Sequence, residues 1–161
     1  MKLFVTVGAQ MPFDRFVSAM DAWAAAHPEH EVFAQIGESS LLPAHMQWTK
    51  FVAPDEFGAR CEWADVLVGH AGIGTLFAAL ERGKRVLVMP RHSALRETRN
   101  DHQIATAREF GARTSVWVAW DDEALDEQLN AMLGADASGG AISSDASPAL
   151  IRRLADFIDG A

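Results

Sequence analysis

Hydrophobic positions along this chain fall into two alternating rhythms. Lys2-Leu-Phe-Val-Thr-Val7 is a short β-branched run that predicts a strand. Phe13, Phe16, Val17, Met20 and Trp23 then recur at helical spacing and predict a helix. Glu31–Ile36 is a second strand ended by Gly37, and Trp48–Val52 is a weaker third. A helix over Pro54–Trp63 follows, with proline suited to the first turn. Asp65–Gly69 reads as a strand, Ile73–Arg82 as a helix closed by Gly83, and Arg85–Met89 as a strand stopped by Pro90. Asp101–Phe110 is a helix closed by Gly111, and Thr114–Val118 is the sixth strand. Asp121-Asp-Glu opens another helix, with acids at the positive end of its dipole and Leu125, Leu129, Met132 and Leu133 as its buried stripe.

The strand segments are continuous apolar runs rather than alternating ones, as a parallel sheet covered on both faces requires. Strand–helix alternation with short links predicts an α/β fold: a doubly wound, mostly parallel six-stranded sheet. Such sheets bind ligands at the carboxyl ends of their strands, near the topological switch point. This domain is expected over residues 1–133. Residues 134–147 hold Gly, Ala, Ser and Asp with one large apolar residue, Ile142, and read as a flexible linker. Ser147-Pro148 opens a C-terminal amphipathic helix over 148–161, with Leu150, Ile151, Leu154, Phe157 and Ile158 as its stripe. Docking on its own domain, on a partner chain or on a membrane surface all fit that stripe.

At 161 residues, 49% apolar and 22% charged, the chain has the size and composition of one globular domain. Fourteen basic against 22 acidic residues give a net charge of −8, which disfavours bulk nucleic-acid binding. Cys61 is the one cysteine, so no disulfide closes within the chain. No secretory leader is expected. The longest run without Asp, Glu, Lys or Arg, around Val66–Leu80, is interrupted by His70 and glycines and is too short to span a bilayer.

The candidate chemistry lies where the fourth strand meets its helix, in Val68-Gly-His-Ala-Gly-Ile-Gly-Thr75. Glycines there let backbone approach a ligand, and a helix N-terminus offers unpaired N–H groups. Thr75 adds a hydroxyl. A phosphate-binding turn and a turn chosen only for close packing both fit. Neither G-x-G-x-x-G with a following acid nor G-x-x-x-x-G-K-[ST] is present, which excludes a dinucleotide fingerprint and a P-loop. Gly8-Ala-Gln10 is a second glycine turn after the first strand. Arg91, His92, Arg96 and Arg99 cluster after the fifth strand, followed by Asn100-Asp-His-Gln103. Arginines clamp carboxylate or phosphate, and Asp101 and Gln103 suit sugar hydroxyls. A solvated loop with Asp101 as a helix cap fits as well. Asp121-Asp122 reads as helix capping rather than a metal-binding pair.

His70-Ala-Gly-Ile-Gly-Thr75, Glu81-Arg-Gly-Lys84, Met89-Pro90 and Asp101-His-Gln103, in that order, resemble the C-terminal, nucleotide-sugar-binding half of GT-B glycosyltransferases of family 28. Val5-Thr-Val-Gly8 with Phe13-Asp14 is similar to the opening of the split members, the Alg13-type and the bacterial exopolysaccharide PssE-type subunits. Residues 3–133 carry the likeness, and Arg99–Gln103 looks closer to the exopolysaccharide branch. The resemblance implies a single Rossmann-like half that binds a UDP-sugar, with UDP-glucuronic acid favoured by the arginines and UDP-N-acetylglucosamine second. It implies a membrane-anchored Alg14- or PssD-type partner that supplies the acceptor half and the base. It implies a polyprenyl-diphosphate-linked acceptor, no metal or other cofactor, and a cytoplasmic subunit recruited to the membrane by that partner. By position, Gly72, Gly74 and Thr75 match the pyrophosphate turn, Gly8 and Gln10 the first loop facing the phosphates, and Phe51 and Val52 the segment whose backbone reads uracil. Asp101 and Gln103 match the sugar-hydroxyl positions, with Arg96 and Arg99 expected to clamp a sugar carboxylate. The family commonly has Glu three residues after the turn's Thr. Here that position is Ala78, and Glu81, one helical turn on, is the expected substitute at the ribose. His70 is the one candidate catalytic residue; a hydrogen bond to phosphate or sugar, or to backbone, fits equally.

Overall fold

A computed structural model describes residues 1–112 and 115–135. Strands β1 (Lys2–Thr6), β2 (Glu31–Gln35), β3 (Gln47–Thr49), β4 (Val66–His70), β5 (Arg85–Met89) and β6 (Val116–Val118) form one all-parallel sheet in the order β3-β2-β1-β4-β5-β6. The connecting helices are α1 (Asp14–Ala26), α2 (Pro54–Trp63), α3 (Ile73–Leu80), α4 (His102–Phe110) and α5 (Glu123–Gly134). The sheet is doubly wound as the sequence predicts. Strand order reverses between β1 and β4, so their adjacent carboxyl ends form the switch point.

The two faces of each strand are sorted by the period of two. Leu3, Val5 and Val7, Val66 and Val68, and Leu87 and Met89 point into one layer. There they meet Phe16, Val17 and Met20 of α1 and Leu125, Leu129 and Met132 of α5. Phe4, Leu67, Val86 and Val88 face the other layer, against Cys61 of α2, Leu76 and Ala79 of α3, and Ala107 and Phe110 of α4. Burial there raises the Cys61 thiol, leaving it a packed core group.

Most elements sit where periodicity predicts them, with differences at several boundaries: α3 stops at Leu80 rather than Arg82, and β6 starts at Val116. The third strand is shorter than Trp48–Val52 and ends at Thr49. Beyond it the Lys50 carbonyl accepts from the Gly37 amide and from Gln35 Nε2, and Thr49 Oγ1 bonds the Phe51 carbonyl, which turns the chain off the edge. A 3-10 turn over Ser93–Leu95, which the periodicity does not show, follows β5. Gly134, expected to begin the linker, is the last residue of α5. Asp121 does serve helix capping: its Oδ1 accepts the Ala124 amide at 2.8 Å. Residue Thr114, the expected linker beyond Ala135 and the C-terminal helix lie outside the described residues.

Candidate functional site

The carboxyl ends of β1, β4 and β5 enclose a cavity of about 350 Å³ at the switch point. That volume suits part of a nucleotide sugar, since small-molecule sites run from roughly 300 Å³ upward. The first loop contributes Ala9, Gln10 and Met11, the β4–α3 turn contributes His70 and Gly72, and the β5–α4 segment contributes Arg91, Glu97, Thr98 and Gln103.

The first loop is held in shape by a buried polar pair. Thr6 Oγ1 donates to Gln35 Oε1 at 2.6 Å and accepts the Gly8 amide at 3.2 Å, while Gln35 Nε2 donates to the Gly8 carbonyl at 2.9 Å. Gly8 therefore shapes the loop, at φ +74, and its amide is bonded inward to Thr6 rather than turned to the cavity.

The β4–α3 turn is built around the His70 ring. A Cβ on Gly72 would lie 2.2 Å from His70 Nε2, and a Cβ on Gly8 would lie 2.8 Å from His70 Cε1. The imidazole thus occupies the space that side chains on these two glycines would take. Its Nδ1 lies 3.4 Å from the Thr6 carbonyl, which can only accept, so the proton belongs on Nδ1 and Nε2 is left as an acceptor. Burial, then the charge of Arg91, push His70 down to about 4. At neutral pH it is an uncharged hydrogen-bonding group and a weak base.

That shift has a sign that can be measured. The unfolded chain takes up the proton near the ordinary histidine value while the folded chain does not, so stability falls as pH drops from about 6.5 toward 4. At pH 4.5 the linkage amounts to about 2.5 kcal/mol. Urea midpoints at pH 7 and pH 4.5 should therefore separate more for wild type than for His70→Asn, by an amount of that order. An identical pH response in both proteins would show that His70 is not held neutral.

Helix α3 begins at Gly72 with no side-chain cap. The Gly72 carbonyl accepts from Thr75 and Leu76, and the Gly72 amide bonds the His70 carbonyl. The amides of Ile73 and Gly74 have no acceptor among the described residues, as expected for the first turn of a helix. Thr75 is buried, and its hydroxyl has no partner among the described residues.

On the β5 side, Arg91 is 3% exposed and ties the loops together. Its Nη1 donates to the carbonyls of Pro12 at 2.7 Å and Glu97 at 2.9 Å, its Nη2 to the Val7 carbonyl at 2.8 Å, and its guanidinium sits 4.5 Å from the Phe13 ring. Burial lowers it to about 10, so it stays charged. Glu97 gives both carboxylate oxygens to Arg15, at 2.8 and 3.0 Å, and also accepts the His92 amide. Gln103 accepts the Arg91 amide at 3.2 Å through Oε1, which leaves its NH2 group at the cavity wall.

Of the residues expected from the sequence, Gln10, His70, Gly72 and Gln103 meet at this cavity, with Gly74 and Thr75 in the turn behind it. Others do not meet there. Arg96 and Arg99 are exposed beyond the 3-10 turn and do not line the cavity. Asp101 is also exposed: its Oδ1 accepts the Ser93 amide at 2.9 Å, and that contact lowers its pKa. Glu81 is exposed at the C-terminal cap of α3, a full helix length from the glycine turn. Ala78 is packed in the second core layer. Phe51 and Val52 lie past the end of β3; Phe51 is exposed, and its carbonyl accepts from Thr49. In the sequence the β5 loop is one arginine cluster in which nothing assigns Arg91 a role of its own. The available signal is its place two residues past the apolar run Val86–Met89, at the strand's end, whereas Arg96 and Arg99 lie further along the loop.

The glycosyltransferase family 28 C-terminal domain model matches residues 2–150. No curated protein matches the sequence. Among solved structures, ALG13 superposes with a TM-score of 0.65 at 17% identity over 98% of this chain and 96% of that one. The glycotransferase of kitacinnamycin aligns with a TM-score of 0.64 at 22% identity, covering 97% of this chain and 37% of its own. MurG of Acinetobacter baumannii aligns at 0.63 and 15% identity, covering 98% and 49%. The chain thus spans well under two thirds of these last two proteins, and at such identities the likeness is one of fold.

Proposed function

This chain belongs to the glycosyltransferase family 28 C-terminal domain family, and from that premise we propose that it is the UDP-sugar-binding subunit of a two-component glycosyltransferase. The observation that carries the reading is the α3 N-terminus, where two amides with no acceptor among the described residues stand beside a cavity walled by Arg91, Gln103 and neutral His70. Departure of UDP builds negative charge on the diphosphate. Preorganised N–H groups and a positive helix end offset that charge without reorganising. Gln10 and Gln103 supply donors and acceptors for the sugar. His70, uncharged at neutral pH, serves as a hydrogen-bond partner, and the base that activates the acceptor belongs to the other half.

In this proposal a partner subunit completes the cleft and holds a polyprenyl-diphosphate-linked acceptor. Near full-length alignment with ALG13 supports the half-enzyme reading. Phe51, Leu95 and Trp120 are exposed apolar residues in segments that follow β3, β5 and β6, on the edge a partner would cover. No helix among the described residues is long and apolar enough to cross a membrane; in this proposal the partner recruits the chain to the membrane. The transferred group is a hexosyl residue, glucuronosyl before N-acetylglucosaminyl, in exopolysaccharide synthesis.

Isothermal titration of the chain with UDP is the test, and a measurable one-site isotherm is expected, since the phosphate-facing groups all lie on this chain. A flat titration would reject the donor-site reading. It would favour a second one, a stabilising partner that has lost the donor. Packed Ala78 and the remote Glu81 favour that second reading, because they leave α3 without an acid near the ribose position.

A further inference from the structure

We propose that Arg91, rather than Arg96 or Arg99, is the counter-charge for an oxyanion of the donor and so sets the preference of the site for anionic ligands. The inference rests on the UDP-sugar reading and adds to it the residue and the chemical class it selects. A guanidinium carries five N–H donors. The Pro12, Glu97 and Val7 carbonyls take three of those of Arg91, which leaves the Nε–H and one Nη2–H without a partner among the described residues.

What surrounds the charge matters as much as the donor count. The partners of Arg91 are neutral carbonyls and an aromatic ring. The nearest carboxylate, Glu97, directs its oxygens to Arg15 and to the His92 amide. A cation this deeply buried with no carboxylate of its own is costly unless something compensates it. It lines the cavity together with His70, which its own charge helps to keep neutral, and with Glu97, whose carboxylate oxygens are taken up by Arg15 and the His92 amide, so among the described residues Arg91 is the one cation of the wall whose donors remain open. Arg15 is closed by an ion pair, and Arg85 is bonded to the Met132 and Ala135 carbonyls. Arg96 and Arg99 are exposed to water, where a charge does little to select a ligand. An oxyanion entering the cavity supplies the missing charge. It comes from the diphosphate or from a carboxylate on the sugar.

Arginine Nε–H signals in 15N-correlated NMR spectra report this directly on the intact chain, titrated in parallel with UDP, UDP-glucose and UDP-glucuronate. The Arg91 Nε–H signal is expected to shift while those of Arg96 and Arg99 stay in place. A shift with all three ligands assigns the diphosphate, and a shift with UDP-glucuronate alone assigns the sugar carboxylate. Arg91→Lys should weaken the responsible ligand by roughly tenfold or more, since lysine keeps the charge but loses the planar fork. Assignment through the wild-type backbone keeps the readout independent of whether that variant folds. Binding of all three ligands with Arg91 unmoved, or with Arg96 or Arg99 moving in its place, overturns the inference and leaves the donor-site reading standing. Failure of all three to bind overturns both.

Discussion

Gly72→Ala is expected to abolish donor binding while leaving a folded protein. Gly72 has φ −85 and ψ 140, a conformation alanine adopts freely, so no backbone strain arises. The whole effect is steric. The new methyl would stand 2.2 Å from His70 Nε2, and the ring cannot swing toward Gly8, because it already fills the space a Gly8 side chain would occupy. The imidazole is left with the cavity as its escape, and there it displaces the ligand. Overpacking of this kind costs about 1–3 kcal/mol of stability. We expect UDP affinity to fall by about a hundredfold or more in titration calorimetry. Combining Gly72→Ala with His70→Ser should recover much of the stability loss, since the two changes share one clash. Wild-type UDP affinity in Gly72→Ala would mean that the ring does not lie between the two glycines.

Glu97→Gln should cost about 3 kcal/mol of stability, the range for removing one member of a buried ion pair. Glutamine keeps the shape but not the charge. Arg15, held by both Glu97 oxygens, then shares the β5 loop with Arg91 and has no buried carboxylate. Its remaining acidic partner, Asp122, is 3.5 Å away with half of its side chain exposed. At about 2–4 °C per kcal/mol for a domain of this size, the melting temperature should drop by about 8 °C. Asp122→Asn removes the exposed partner and should cost less than about 1 kcal/mol. Equal losses in the two variants, read by thermal denaturation, would show that Glu97 is not the centre of this network.

Both variants act through contacts between residues far apart in the sequence. The motif around Gly69–Thr75 was legible as a strand-to-helix glycine turn, and the Ile73 and Gly74 amides there have no acceptor among the described residues. What could not be read was the tenant of the glycine-lined space. Gly8 and Gly72 are 64 residues apart, and only the parallel pairing of β1 with β4 brings them to opposite sides of one imidazole. The Gly8 amide, which sequence spacing offers to the ligand, is taken by Thr6 Oγ1 in a network completed from β2.

The same division holds for charge. The arginine-rich loop was visible as a cluster, but clustering along the chain says nothing of depth. The 3-10 turn over Ser93–Leu95 leaves Arg96 and Arg99 in solvent, while Arg91 remains under Phe13. Glu81 lies on the right helix but at its far end, because six residues past Thr75 carry it about 9 Å along the axis.

Strand and helix identity, the parallel sheet and the end of it where the cavity opens were set by the chain itself, because periods of two and 3.6 and the placement of Gly and Pro are local properties. Which cation faces the cavity, which amides stay unpaired and why two distant glycines are needed were decided by tertiary structure. Those are properties of depth and of contacts across strands. Sequence distance carries neither.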